Sequence, residues 1–234
     1  MLGDQSAAFW THPLELIMDL NALQAQLEYI YDVRTYYRVE DFLITDPTLV
    51  RRLTEEAAGK GQSVEALLIR QSKNNLDLAL YLNQELLTRL VSDNPSELLH
   101  DGNLAEFWFV LEGVSHFLYL AWNVGFERTV TQLELELQAE IDKFVLTAAL
   151  IYRQRGIVDM RLLRRTLFEE IRFRDGLDDI QQQRYQEANR LAARYCGSLE
   201  EKYSFIPRNS YLVNELRRFY RMPQSHKIRH IRVV

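Results

Sequence analysis

Glu112 and His116 interrupt the run FWFVLEGVSHFLYLAW, residues 107–122, in which Ser115 is the only other polar side chain. Residues four apart share one face of a helix, so this carboxylate and imidazole can reach each other or a common third group. The apolar neighbours predict burial nearly all round, and a buried ionisable group needs a partner. Two chemistries suit such a pair, proton transfer and metal ligation. Glu136 and Glu140, again four apart, fall on the next predicted helix, and antiparallel packing would bring Glu112, His116, Glu136 and Glu140 together. Carboxylates and an imidazole converging from facing helices suit iron or manganese. Helical di-metal sites usually repeat Glu-x-x-His, whereas here Glu112-x-x-x-His116 occurs once. The competing expectation is a Glu–His hydrogen bond that orders the core with no cofactor. Trp108, Phe117, Tyr119 and Trp122 are read first as core and second as the lining of an apolar ligand cavity. Gly113 offers a close approach to α-helical backbone or room for a ligand.

A second constellation is basic. Arg153, Arg155, Arg161, Arg164, Arg165, Arg172 and Arg174 form one group; Arg217, Arg218, Arg221, Lys227, Arg229 and Arg232 form another. Guanidinium forks suit phosphate and carboxylate, and Tyr211, Phe219 and Tyr220 can stack on bases. Overall charge is −5, yet residues 1–150 carry 10 Lys and Arg against 23 Asp and Glu, while residues 151–234 carry 18 against 10. The two parts therefore stand at −13 and +8. Such polarity points to an acidic partner: an acidic protein surface, another copy of this chain, or a nucleic acid. Glu169, Glu170, Asp175, Asp178 and Asp179 interleave with the first basic group and predict an ion-paired face there.

Familiar catalytic signatures are absent: the chain has no Gly-rich phosphate loop, no Gly-x-Ser-x-Gly, no His-Glu-x-x-His and no Cys-x-x-Cys. The single cysteine, Cys196, reads as a small buried hydrophobe and excludes an internal disulfide. His12, His100, His226 and His230 read as loop or surface residues. The start MLGDQSAAFW lacks the basic and apolar regions of a signal peptide, so a cytoplasmic setting is expected. No apolar run reaches the roughly 18 residues needed for a membrane span.

The elements that must position these side chains follow from spacing and caps. Nine glycines and five prolines in 234 residues argue against many short strands. Leu16, Leu20, Leu23, Leu27, Ile30 and Tyr31 mark a first helix after Pro13, and Asp46-Pro47 opens a short second one reaching about Ala58. Gly59 and Gly61 end it, and a long helix from Ser63 to Asn94-Pro95 follows. The buried helix lies near 104–123 and breaks around Asn123–Gly125. A long helix near 126–155 carries Val130, Leu133, Leu137, Ile141, Phe144, Ala148 and Ile151 as a packing seam, and Gly156 ends it. Asp159 caps another helix, Asp175-Gly176 turns the chain, and helices over about 177–199 and 210–221 close the set. The tail HKIRHIRVV alternates basic with apolar residues, as an extended arm or an added strand would.

The expected fold is all-α: one multi-helix bundle over residues 1–222, subdivided if anywhere near Gly156, plus a basic C-terminal arm over 223–234. The leading functional reading is a self-associating helical interaction or adaptor protein whose basic region binds an acidic surface. The alternatives are a metal- or small-ligand-binding bundle enzyme built on Glu112, His116, Glu136 and Glu140, and nucleic-acid binding through the C-terminal arginines.

Overall fold

A computed structural model describes residues 19–55, 64–71, 76–126, 128–170, 178–203 and 209–233. The domain is mostly helical, as expected, with one small sheet. Helix α1 (Leu20–Tyr31) leads through a 3-10 turn (Val39–Phe42) to strand β1 (Leu43–Ile44) and helix α2 (Pro47–Glu55). Strands β2 (Glu65–Gln71) and β3 (Leu76–Leu82) and helix α3 (Gln84–Ser92) come next. Helices α4 (Asp101–Val124), α5 (Gln132–Arg155), α6 (Met160–Phe168), α7 (Asp179–Lys202), α8 (Ser210–Arg221) and α9 (Gln224–Val233) complete the described chain.

The caps explain where the two central helices begin and end. Thr131 and Glu134 form a reciprocal capping box at α5, and Gly156, at φ 72°, turns its C-terminus in the left-handed region where glycine alone carries no Cβ penalty. Helix α4 starts on a less usual box: His100 accepts a hydrogen bond from the Gly102 amide through Nδ1, while its own amide donates to Asn103 Oδ1. His100 is thus a capping residue. Asp159 caps α6, as its position in the sequence implies. The predicted start of the first helix at Pro13, the glycines at 59 and 61, Ser63 and the turn at Asp175-Gly176 lie outside the described residues.

The long helix expected between Ser63 and Asn94 is instead a hairpin followed by a short helix. Strand β3 is central, parallel to β1 (Leu43 beside Leu80) and antiparallel to β2, with Glu65 opposite Leu82 and Leu68 opposite Ala79. Leu80, Tyr81 and Leu82 are all buried. A strand paired on both edges and covered by a helix reads as a continuous apolar run, which periodicity cannot separate from a buried helix. Asn83 then caps α3, accepting from the Glu85 and Leu86 amides. The C-terminal tail also departs from expectation. It forms α9, whose Lys227 and Ile231, four residues apart, are both fully buried.

Helix α4 is the centre of the core, packed between α1, α5 and the β2–β3 hairpin, and α5 in turn packs against α7. One apolar cluster includes Leu27 of α1, Phe117 of α4, Phe144 of α5, Leu191 of α7 and Phe219 of α8. By length and composition α4, at 24 residues, is long and apolar enough to cross a membrane, which the shorter run seen in the sequence is not. Within this domain 72% of that stretch is buried against the other elements.

Candidate functional site

Helices α4 and α5 run antiparallel, and the contacts descend in step: Tyr119 meets Glu134, Ser115 meets Asp142, Glu112 meets Lys143 and Trp108 meets Thr147. Helical spacing sorts the polar residues of α5 into two stripes. Glu136, Glu140 and Lys143 face Glu112 and His116; Glu134, Gln138 and Asp142 face Tyr119 and Ser115. Two polar layers therefore lie inside an otherwise apolar core.

In the first layer the expected Glu112–His116 hydrogen bond does not form. Glu112 Oε2 instead accepts from Lys143 Nζ at 2.7 Å, and the same ammonium donates to Glu140 Oε1 at 2.8 Å. His116 sits between two other carboxylates, with Nδ1 3.6 Å from Glu65 Oε1 and Nε2 3.5 Å from Glu136 Oε2. These are ion-pair distances, and His116 Nε2 makes no hydrogen bond although it is buried. Arg184 of α7 closes the layer, its Nε 3.7 Å from Glu136 Oε1. The four residues singled out from spacing, Glu112, His116, Glu136 and Glu140, are thus brought to one place, joined by Glu65, Lys143 and Arg184.

Glu65 enters from the start of β2, where Gly113 lets the hairpin approach α4. A Cβ on Gly113 would lie 2.8 Å from Leu80 Cδ1 and 3.1 Å from Glu65 Cγ. One ligand atom of each of Glu65, Glu112 and His116 lies within 4.8 Å of those of the other two, and all three residues are buried. Burial disfavours the imidazolium, but Glu136 and Glu65 outweigh it and hold the His116 pKa up at about 10. Burial raises the Glu140 pKa, against the pull of Lys143.

The second layer is a closed hydrogen-bond network. Asp142 accepts from Tyr31, from Ser115 at 2.5 Å and from Gln138 at 2.9 Å. Burial lifts its carboxyl to about 6 even so. Gln138 Oε1 accepts from Lys227 Nζ at 2.8 Å, and that ammonium lies 4.5 Å from the Tyr119 ring centroid and 5.0 Å from that of Phe219. Burial drives the Lys227 pKa down to about 7.

The basic groups are largely spent within the fold. Arg153 and Arg155 donate to the carbonyls of Ser96 and Leu99, Arg164 pairs with Glu200 at 3.1 Å, and of the interleaved acids Glu169 lies 3.4 Å from Arg164 and Glu170 3.7 Å from Arg165. Arg172 and Arg174 lie outside the described residues. Of the C-terminal set, Arg217 donates to the carbonyls of Ile30 and Tyr29, and Arg221 to that of Asp32, together closing the C-terminus of α1. Lys227, read from the sequence as a surface contact, is in the core. Arg218, Arg229 and Arg232 are exposed. His226 and His230 do not share a site: His230 pairs with Glu215 at 2.5 Å. Cys196 is buried and its thiol pKa is pushed up, so it is a core residue. The aromatic residues of α4 serve packing, with Phe117 and Tyr119 fully enclosed and Trp108 donating to Thr147 at 2.9 Å.

Sequence reasoning missed Lys143, one turn beyond Glu140 on the same helix, and also Glu65 and Arg184. Glu65 and Arg184 are placed by tertiary contact alone, Glu65 on a strand read as helix and Arg184 on α7, which packs against α5. The arrangement defines a buried carboxylate–imidazole site in a helical domain. Compared with known proteins, the chain matches no family model, no curated protein and no solved structure at a significant level.

Proposed function

We propose that the protein is a metal-binding helical protein that holds one divalent first-row ion, manganese or iron, on Glu65, Glu112 and His116, with Glu136 beside the imidazole. The observation that carries the reading is the convergence of one ligand atom from each of these three buried residues within 4.8 Å of the others, with His116 Nδ1 3.6 Å from Glu65 Oε1. Ligand bonds of roughly 2.1 Å put donors at most about 4.2 Å apart, so side-chain adjustments of under about 1 Å draw the set together. Oxygen donors with a single imidazole favour manganese or iron over the softer thiolate-seeking ions. Glu65, Glu112, Glu136 and Glu140 bring four carboxylates together with the His116 ring, Lys143 and Arg184, and an ion bound at His116 would take the place of the proton that Glu65 and Glu136 hold on the ring.

Dialysis of the full chain against manganous ion, or ferrous ion without oxygen, followed by metal quantification, tests this. Close to one ion per chain should be retained, and His116→Ala, verified as folded by circular dichroism, should lose it. Failure of the unmodified chain to retain either ion, or retention indifferent to His116→Ala, overturns the proposal.

A second reading keeps the protein as a self-associating interaction module, favoured by the exposed Arg218, Arg229 and Arg232 on a chain whose residues 1–150 are strongly acidic. Association between unlike faces of two copies would weaken with salt. Sedimentation showing a monomer even at low ionic strength counts against it.

A further inference from the structure

We infer that Glu136 is a positioning residue and not a ligand: it accepts the N–H of His116 Nε2, is itself held by Arg184, and so presents Nδ1 to the ion. The inference rests on the metal-binding reading above and goes further, to how the imidazole is oriented and which nitrogen it offers.

The two ring nitrogens face different carboxylates. Nδ1 lies 3.6 Å from Glu65 Oε1, and Glu65 is one of the three residues whose ligand atoms converge. Nε2 is 3.5 Å from Glu136 Oε2, and Glu136 stands outside that converging set. The lone pairs of one imidazole diverge, so a single ion takes one nitrogen, and the hydrogen bond made by the other decides which. An ion drawn to Glu65 and Glu112 takes Nδ1 and leaves the N–H at Nε2, directed at Glu136. Shortening that contact by about 0.5 Å makes it an ordinary hydrogen bond. An N–H donated to a carboxylate fixes the tautomer and the ring orientation and raises the basicity of the nitrogen that ligates.

Glu136 suits this role because it is held from outside the ligand set. Its second oxygen, Oε1, lies 3.7 Å from Nε of Arg184, which reaches over from α7. With Oε2 on the imidazole and Oε1 on the guanidinium, each oxygen of Glu136 has a cationic partner. The side chains of His116 and Glu136 are both about nine-tenths buried, so water competes little for the Nε2 proton. Arg184 Nε is buried too and makes no hydrogen bond to any other group among the described residues.

The experiment labels the histidines of the full chain with the heavy nitrogen isotope, at Nδ1 alone or at Nε2 alone, loads each sample with manganous ion, and records electron–nuclear double resonance. The Nδ1 label should give the strong coupling of a metal-bound nitrogen, and the Nε2 label only the weak coupling of the remote one. Strong coupling at Nε2 overturns the inference, because the ion then lies on the Glu136 side of the ring. In equilibrium dialysis Glu136→Leu should still retain one manganous ion but bind it about 10–100-fold more weakly. Glu136→Gln, which keeps an oxygen to accept from Nε2, should fall between that variant and the unmodified chain, with the strong coupling still at Nδ1. A folded Glu136→Leu chain that binds as tightly as the unmodified one overturns the inference, and so does loss of the ion from Glu136→Gln, which would make Glu136 a ligand. If Glu136→Leu does not fold, Glu136→Gln and the two labels decide the matter. An unmodified chain that retains no manganous ion, or that shows strong coupling at neither nitrogen, refutes the underlying metal-binding reading instead, so the two failures are told apart.

Discussion

Gly113 is where the hairpin and the central helix touch, and replacing it with alanine tests whether that contact builds the site. The added Cβ would sit 2.8 Å from Leu80 Cδ1, 3.1 Å from Glu65 Cγ and 3.4 Å from Leu82 Cδ2. Carbon atoms at rest lie roughly 3.5–4.0 Å apart, so the hairpin must withdraw by up to about 1 Å. Leu80 and Leu82 are fully buried and have no free space to enter, and such overpacking costs about 1–3 kcal/mol. Alanine returns roughly 1 kcal/mol of helix propensity at the same position. The net expectation is destabilisation of about 0–2 kcal/mol, with Glu65 displaced from His116. Gly197→Ala in α7 is the matched control, because its Cβ would meet only Arg164 Cδ, at an ordinary 3.8 Å. That change should stabilise by about 0.5–1 kcal/mol. Urea denaturation of both variants, read beside manganous-ion affinity, checks the pair. Gly113→Ala should lose affinity and Gly197→Ala should keep it. A Gly113→Ala chain as stable as Gly197→Ala, binding the ion as the unmodified chain does, refutes the close-contact argument.

The polar layers make further outcomes measurable. Lys227, with its pKa lowered from 10.5 to about 7, loses its proton in the folded state before the unfolded chain does. Between those values the unfolded state binds more protons, so stability rises with pH, by at most about 1.4 kcal/mol per pH unit, and Lys227→Met should flatten that slope in denaturation curves. Asp142 acts in a lower window and with the opposite sign: its pKa is raised from 3.8 to about 6, the folded state holds the extra proton, and stability falls as pH rises through that range. Asp142→Asn should remove this component, and an unchanged pH profile would show that the carboxyl is not perturbed. His100→Ala deletes the side-chain cap of α4 and should lower stability by about 0.5–2 kcal/mol, measured by urea denaturation. A neutral result would mean that water satisfies the Gly102 amide as well as the ring does.

The helical part of the fold is legible because its signals are local. Asp159, Gly156 and the seam of α5 each report on a few neighbouring residues, and they locate the end of α5 and the start of α6, whereas α5 begins only at Gln132, after the Thr131 cap, and not near residue 126. The facing of Glu112 and His116 toward Glu136 and Glu140 follows from the same periodicity plus one short connection. What spacing alone does not supply is the partner of each charge. The imidazole is one helical turn from Glu112, yet it lies between Glu65 and Glu136 while Glu112 takes Lys143. Lys143 is one turn beyond Glu140 and legible in retrospect, but nothing in the run VEALLIRQ marks Glu65 as buried.

The unread elements share one cause, which is that burial overrides the pattern a residue type suggests. In β2 and β3, Leu, Ala and Glu favour helix by propensity, but β3 is paired on both edges and covered by α4, and tertiary packing decides. In the tail, treating every lysine as polar and outward makes HKIRHIRVV look like alternation. Lys227 points inward because Gln138 and the rings of Tyr119 and Phe219 receive its ammonium, and with Lys227 inside, Ile231 one turn later completes a helical face. Both polar layers are thus assembled by a long side chain from a distant element, Lys227 from the C-terminal helix and Arg184 from α7, each arriving at a carboxylate or amide on α5. A fold could bury the same helices with leucine at every one of these positions and gain stability. That it retains four carboxylates, an imidazole and two further cationic side chains in one layer is the physical ground on which a ligand is proposed for the layer.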